Sequence, residues 1–437
     1  MAASAKPTCS GGCSNSESKI RSVVSSCMIG NALEWYDFIL FGYFATIIAQ
    51  QFFPSSDNVT ALLKSYGIFV AGFVMRPLGA FVFGYIGDRI GRKKALMWSI
   101  YFMAVPTTIM GLLPSYDQIG WSAALLLILL RLFQGLSMGG EFTGSMVFIV
   151  ENSPDKSRGF WGSCACLSVV IGLIVGSSLA SFISSVTTHE QLILWGWRIP
   201  FVISIFGSMV GAYMRTYLDD PKAFSDSRKN ESEKKEFLFK ELFRDHWKSV
   251  ITIILIDFTI SVGFFLITVF VMSYLQTFVG FSYLEASIIN SVSMLVFAAM
   301  IPLSGLAIDK IGRRPVLLFA SGLFFALSYP LFKGLSSGSW NIALISQIIF
   351  AVLLGINYAP IPSVLSEQFP TKVRFSGISI AHNLSMTIFG GTAPEIVTWL
   401  LKSYPDFLEI PGLYLMFAGA MAFLGALLMK DRTGQPL

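Results

Sequence analysis

The chain has 437 residues, 54% of them hydrophobic and only 13% charged, with a formal net charge of +5. Soluble domains are about a quarter charged, so this composition excludes an ordinary soluble enzyme or a disordered chain and predicts a polytopic membrane protein. The positive balance does not point to nucleic acid, because the basic residues sit in short loops on alternate sides of apolar spans, which is a topology signal.

Residues 1–20 are polar and Ser/Gly-rich and read as a disordered cytoplasmic tail rather than a signal peptide. Cys9 and Cys13 stand there as a C-x3-C pair with no His or Cys nearby to complete a metal site, and the five cysteines suggest no disulfide framework. Apolar windows of roughly 20 residues predict twelve helices, at 22–50, 60–86, 95–113, 121–151, 159–186, 195–217, 248–278, 283–308, 315–333, 340–368, 375–402 and 408–429. The first contains "GNALEWYDFILFGYFA", where Glu34 and Asp37 share one helical face. Each carboxylate costs about 2.5–3.5 kcal/mol at a helix centre, so it is expected to face protein or a water-filled path. Further intramembrane polarity lies in later spans: Arg76 before Pro77 in the second helix, Arg131 and Glu141 in the fourth, and Asp257 in the seventh. Asn357 and Tyr358 lie in the tenth, and His382, Asn383 and Glu395 in the eleventh. His382 reads as a hydrogen-bonded packing residue rather than a relay. The connection 218–247 is charged and cytoplasmic; Phe239, Leu242, Phe243 and Trp247 recur in it at helical spacing, as for a surface helix, and a solvated linker fits equally.

Both tails and the loops after helices 2, 4, 6, 8 and 10 hold 25 of the 31 Lys and Arg, which places both termini in the cytoplasm. The chain also repeats itself. "GDRIGRKK" (87–94) matches "IDKIGRR" (308–314), and "ENSPDKSR" (151–158) matches "EQFPTKVR" (367–374), at offsets of 221 and 216 residues. Two pairs at nearly one offset mean a duplicated six-helix unit, 21–217 and 248–429, joined by 218–247 and followed by a short tail 430–437. Parallel repeats of this kind build transporters in which one half rocks against the other. Asp88, Arg89, Arg92, Glu151 and Arg158, with their counterparts Asp309, Arg313, Glu367 and Arg374, are candidate gating residues that latch the halves at the cytoplasmic face.

These loops resemble the signature of the major facilitator superfamily. "GNALEWYDF", "RPLGAFVFGYIGDRIGRKK", "RLFQGLSMGGEFTGS", "WGWRIPF" and "FPTKVRFSG…GGTAPEIVTWL" resemble its metabolite:proton symporter family, closest to the bacterial proline/glycine-betaine and α-ketoglutarate permeases. The resemblance implies an all-α fold of twelve transmembrane helices in two pseudo-symmetric bundles. It also implies a cavity lined by helices 1, 4, 7 and 10. Proton coupling is assigned to Glu34, Asp37 and Glu141, with Arg131 as counter-charge. Trp35, Tyr36, Asp257, Asn357, Tyr358 and Asn383 are candidate substrate contacts. Asp257 suits a substrate ammonium, a proton relay or a polar cap near the cytoplasmic mouth. An aromatic box beside carboxylates suits betaine; Arg76 and Arg131 together would suit a dicarboxylate, so the sign of the cavity does not decide. The expected function is a proton symporter of the inner membrane importing proline or betaine. A symporter for α-ketoglutarate, citrate or a related acid is the second reading and a transporter-like receptor the third. No phosphate-binding loop or catalytic arrangement marks an enzyme. The expected partners are a small solute, protons and the lipid bilayer, with no cofactor beyond the coupling proton, no nucleic acid, and a monomeric functional unit. The long C-terminal coiled coil of osmosensing relatives is missing, which leaves osmotic activation unsupported.

Overall fold

A backbone in hydrocarbon has no water to bond, so apolar segments close their hydrogen bonds internally as helices. The computed structural model describes residues 12–53, 58–80, 82, 92–216 and 244–435, and every regular element among the described residues is helical. The first predicted span comprises α1 (Gly12–Tyr43) and α2 (Ala45–Phe52), with a 60° bend between them. Then come α3 (Asn58–Val74), α4 (Arg92–Leu112), α5 (Trp121–Ser137), α6 (Glu141–Asn152), α7 (Arg158–Val186) and α8 (Arg198–Thr216). Beyond residue 243 come α9 (Trp247–Phe265), α10 (Tyr283–Ile311), α11 (Arg313–Leu335), α12 (Trp340–Tyr358), α13 (Ile361–Glu367), α14 (Thr371–Ser385), α15 (Ala393–Ser403) and α16 (Ile410–Leu428). Among the described residues, seven helices are long and apolar enough to cross a membrane, nine if each bent pair is one span. Helices also lie where the sequence places its second, third and eleventh spans. Large apolar side chains such as Trp121, Phe182, Phe206 and Phe319 are exposed, the surface a bilayer would cover.

Three expectations need amending. Residues 12–20, read as disordered tail, belong to α1; once the apolar run beyond Ile20 has nucleated a helix, extending it by a few residues is cheap. The fourth span is interrupted at Met138–Gly140, because the segment 76–80 crosses it there. A Cβ on Gly139 would lie 2.1 Å from Ala80 N and 2.2 Å from Arg76 O. Residues 430–433 of the segment read as a short tail pack on the second half of the chain: Gln368 Nε2 donates to Lys430 O at 3.0 Å, and the Arg313 amide to Thr433 Oγ1 at 3.2 Å. Asp88 and Arg89, together with 218–243 of the linker, lie outside the described residues. So does the side chain of Arg92, whose backbone opens α4.

The helices associate in two sets. In the first, α1 packs on α4, α6, α7 and α8, and α5 on α3 and α4; in the second, α9 packs on α14 and α16, and α12 on α10 and α11. The sets meet along a seam where α7 runs against α10, α3 against α15, and α6 against α13 and α14. Gly305 of α10 carries this closeness, since a Cβ there would lie 2.5 Å from Ser163 Oγ of α7.

Candidate functional site

The three expected coupling carboxylates converge. Glu34, Asp37 and Glu141 line one cavity of about 10 Å³, room for roughly one water, together with Ser99, Ser137 and Ser208. All three are buried. Ser99 donates its hydroxyl to Glu141 Oε2 at 2.7 Å, and Ser204 of α8 lies beside the Asp37 side chain. The break before α6 puts Glu141 in that helix's first turn, where the dipole favours an acidic side chain. The cavity lies inside the first set, among α1, α4, α5, α6 and α8, rather than on the seam where the family resemblance would put it. Arg131 points elsewhere in the same set. Its Nη1 donates to Phe38 O at 3.0 Å and Gln134 Oε1 at 2.7 Å, and its guanidinium lies over the rings of Phe38 (3.8 Å) and Phe41 (4.8 Å).

On the seam itself, aromatic rings and a few buried polar groups interlock. Trp35 meets Phe264 edge-on at 5.2 Å, and Phe73 meets Phe265 at 4.9 Å, so the two sets close on each other through rings. Tyr358 packs on Phe264 and accepts a hydrogen bond at its carbonyl from Cys166 Sγ of α7 at 3.4 Å. Beside the rings, two consecutive residues of α14 are gripped from opposite sides. His382 Nδ1 pairs with Asp257 Oδ2 at 2.7 Å, and Asn383 Oδ1 accepts from Arg76 Nε at 3.2 Å. Asn383 Nδ2 donates to Gly139 O at 3.0 Å and Ser379 O at 2.9 Å, which fixes its amide orientation. Just beyond, residues 386–390 form a π-helical turn, a distortion frequent at functional sites.

At one end of the seam lie the predicted latch residues. Asp309 accepts the amides of Gly159 at 2.7 Å and Phe160 at 2.8 Å, two first-turn donors of α7 with no intrahelical partner. The expected acid–base pairing is seen in Arg374 Nη1 with Glu151 Oε1 at 2.7 Å, which joins α14 to α6. Arg313 and Glu367 pair at 2.9 Å within the second set, both fully buried. Arg158 bonds Asp155 and also donates to Gln435 O at 2.6 Å, so the chain terminus straps this end. At the other end, Ser177 and Ser181 of α7 hydrogen-bond Ser287 and Ser291 of α10. Tyr283 donates to Tyr43 O at 3.4 Å. The seam is therefore fastened at both ends in this conformation.

Of the expected substrate contacts, Trp35, Asp257, Tyr358 and Asn383 meet at the seam. Tyr36 does not: its hydroxyl donates to Pro200 O at 2.9 Å inside the first set. Asn357 bonds its own helix, at Leu353 O. Arg76, weighed from sequence only as half of a dicarboxylate site with Arg131, and His382, read as a hydrogen-bonded packing residue, complete the seam cluster. The available signal was cost, since a guanidinium in an apolar span is as expensive as the carboxylates that drew attention.

Comparison with known proteins gives the relatives of this arrangement. The family profile described as Major Facilitator Superfamily matches residues 27–394 and 258–436. A proline/betaine transporter of Salmonella typhimurium is 33% identical over 429 residues, covering 96% of this chain and 85% of that protein. The glycine betaine/proline/ectoine/pipecolic acid transporter OusA of Dickeya dadantii is 32% identical with the same coverage. A putative proline/betaine transporter of Staphylococcus aureus is 34% identical over 93% of this chain and 87% of its own. Among solved structures, the proton:xylose symporter XylE bound to 6-bromo-6-deoxy-D-glucose superposes with a TM-score of 0.78 at 17% identity, over 96% of this chain and 98% of that one. An inward-open form of the xylose transporter from E. coli gives 0.71 at 17% identity, over 95% and 97%. At such identity these structures establish the fold alone.

Proposed function

We propose that this chain, which belongs to the major facilitator superfamily, is a multi-pass proton-coupled symporter that imports proline, glycine betaine or a closely similar zwitterion by alternating access. Relatives of 32–34% identity over nearly the whole chain are named for those solutes. The observation that carries coupling is that the buried side chains of Glu34, Asp37 and Glu141 line one cavity. Three buried carboxylates lining one cavity cannot all be ionised cheaply in a low-dielectric interior. Such a cluster can take a proton from one side and give it up to the other when the surroundings change, with no cofactor beyond the proton.

In this reading the two sets are six-helix bundles, 21–217 and 248–429, the spans number twelve, and both termini face the cytoplasm of an inner-membrane protein acting as a monomer. The latch of Asp309, Glu151 and Arg374 then closes the cytoplasmic end of the seam. Substrate sits on the seam against Trp35 and Tyr358, with its ammonium toward Asp257 and Asn383 beside it. A dicarboxylate fits less well: Asp257 would repel it, and Arg131 is turned toward Phe38 and Gln134. One proton entering down 100 mV supplies about 2.3 kcal/mol, enough for a solute gradient of roughly fiftyfold. The test is uptake into proteoliposomes under an imposed pH gradient, with proline, betaine, α-ketoglutarate and citrate compared. Accumulation of the zwitterions alone is the expected result; accumulation of the acids instead refutes the substrate assignment.

A further inference from the structure

Arg76 is the one cation in this seam cluster among the described residues, and proton coupling alone gives it no role. Its side chain is completely buried at the level of Trp35 and Phe73, with the guanidinium carbon 6.0 Å and 5.4 Å from those ring centres. Nε is taken by Asn383 Oδ1, whereas Nη1 has no hydrogen-bond partner among the described residues. Trp35 Nε1, Asp257 Oδ1 and His382 Nε2 share that condition. Buried polar atoms are rarely left so, and here they collect where the two helix sets part. The donor fork of a guanidinium matches a carboxylate. Asp257, on the other helix set, offers an acceptor; both groups lie within electrostatic reach of Tyr358. A positive pole on α3's continuation and a negative pole on α9 mirror a zwitterion. Glu34, the residue preceding Trp35, is within electrostatic reach of the same guanidinium.

We propose that Arg76 anchors the carboxylate of the transported zwitterion and that Glu34 competes with that carboxylate for it. While Glu34 is ionised it compensates Arg76. When Glu34 takes a proton from the aqueous side, the guanidinium is released to the substrate, so proton and solute load together. As the solute leaves, Glu34 returns its proton to water and reoccupies Arg76. The other charged or titratable groups around this pair are Asp37 on α1, Arg131 on α5, Glu141 on α6 and Tyr358 on α12, with His382 and Asp257 beyond Asn383. The proposal rests on the zwitterion reading above.

Binding of glycine betaine, proline and choline to the purified full-length protein in nanodiscs, by titration calorimetry between about pH 5 and pH 8, tests it. Choline keeps the quaternary ammonium and lacks the carboxylate. Wild type should prefer betaine over choline by about tenfold or more, and bind betaine more tightly as pH falls. Arg76→Gln should erase that preference and Arg76→Lys restore part of it. Glu34→Gln should bind betaine at least as tightly as wild type and without pH dependence. Because the readout is a preference between two ligands, a general loss of affinity does not mimic it, and the wild-type comparison needs no variant. Equal wild-type affinity for betaine and choline overturns the proposal, as does an intact preference in Arg76→Gln or a persisting pH dependence in Glu34→Gln. Failure of wild type to bind either zwitterion sinks the substrate reading itself, and this inference with it.

Discussion

Asp309→Asn should unlatch the seam. The carboxylate accepts amides from Gly159 at 2.7 Å and Phe160 at 2.8 Å, at the positive end of a 29-residue helix. Hydrogen bonds to a charged group are worth about 1.5–3 kcal/mol each, and neutral ones about half that. Asparagine keeps one acceptor and turns an N–H toward the other donor, a gross loss of about 3–4 kcal/mol. Asp309 is only half-buried, and solvent screening reduces the figure to about 2 kcal/mol. That corresponds to a shift of roughly thirtyfold toward conformations open at this end. Gly159→Ala attacks the same contact sterically, its Cβ falling 2.5 Å from Ile308 Cγ1 and 2.6 Å from Asp309 Oδ1. Cys166 is the reporter, because its fully buried thiol lies 3.4 Å from Tyr358 O on the seam. With Cys9, Cys13, Cys27 and Cys164 changed to serine, maleimide labelling of Cys166 in inside-out vesicles should accelerate about ten- to thirtyfold in both variants. Unchanged labelling in both would refute the latch.

Glu141→Gln and Asp37→Asn should each lose proton-driven accumulation by about tenfold or more while keeping solute counterflow; gradient-driven uptake intact in both would remove the carboxylate cavity from the coupling path. Gly135→Val should cost about 3 kcal/mol, read as a melting temperature several degrees lower, because even a Cβ there would lie 1.9 Å from Gly72 O. Gly140→Ala, with nothing within 4 Å of its Cβ, is the matched control, and equal melting of the two contradicts the packing account. His382→Ala removes the 2.7 Å partner of the fully buried Asp257 and should cost about 1–3 kcal/mol. His382→Asn, which keeps a donor, should cost less; indistinguishable melting curves for wild type, Ala and Asn would show the pair to be structurally idle.

Sequence alone determined the features that depend on composition and local pattern. Apolar windows required helices, because unpaired backbone is excluded from hydrocarbon wherever the helix packs. The internal match of "ENSPDKSR" with "EQFPTKVR" named Glu151 and Arg374 before any geometry joined them across the seam. Cost singled out Glu34, Asp37 and Glu141, and a penalty incurred residue by residue is visible without knowing the neighbours. Which way each side chain points was decided by tertiary structure, because a helical residue's direction depends on the rotation and bends of its helix. The break at Met138–Gly140 falls where residues 76–80 cross, and beyond it Glu141 meets Ser99 of α4. Adjacent residues of one helix differ by about 100° in direction; Trp35 thus reaches the seam while Tyr36 reaches Pro200. Likewise Arg131 and Arg76 are equal as charges in a string of letters. Only packing put one beneath Phe38 and Phe41 and the other between the two helix sets.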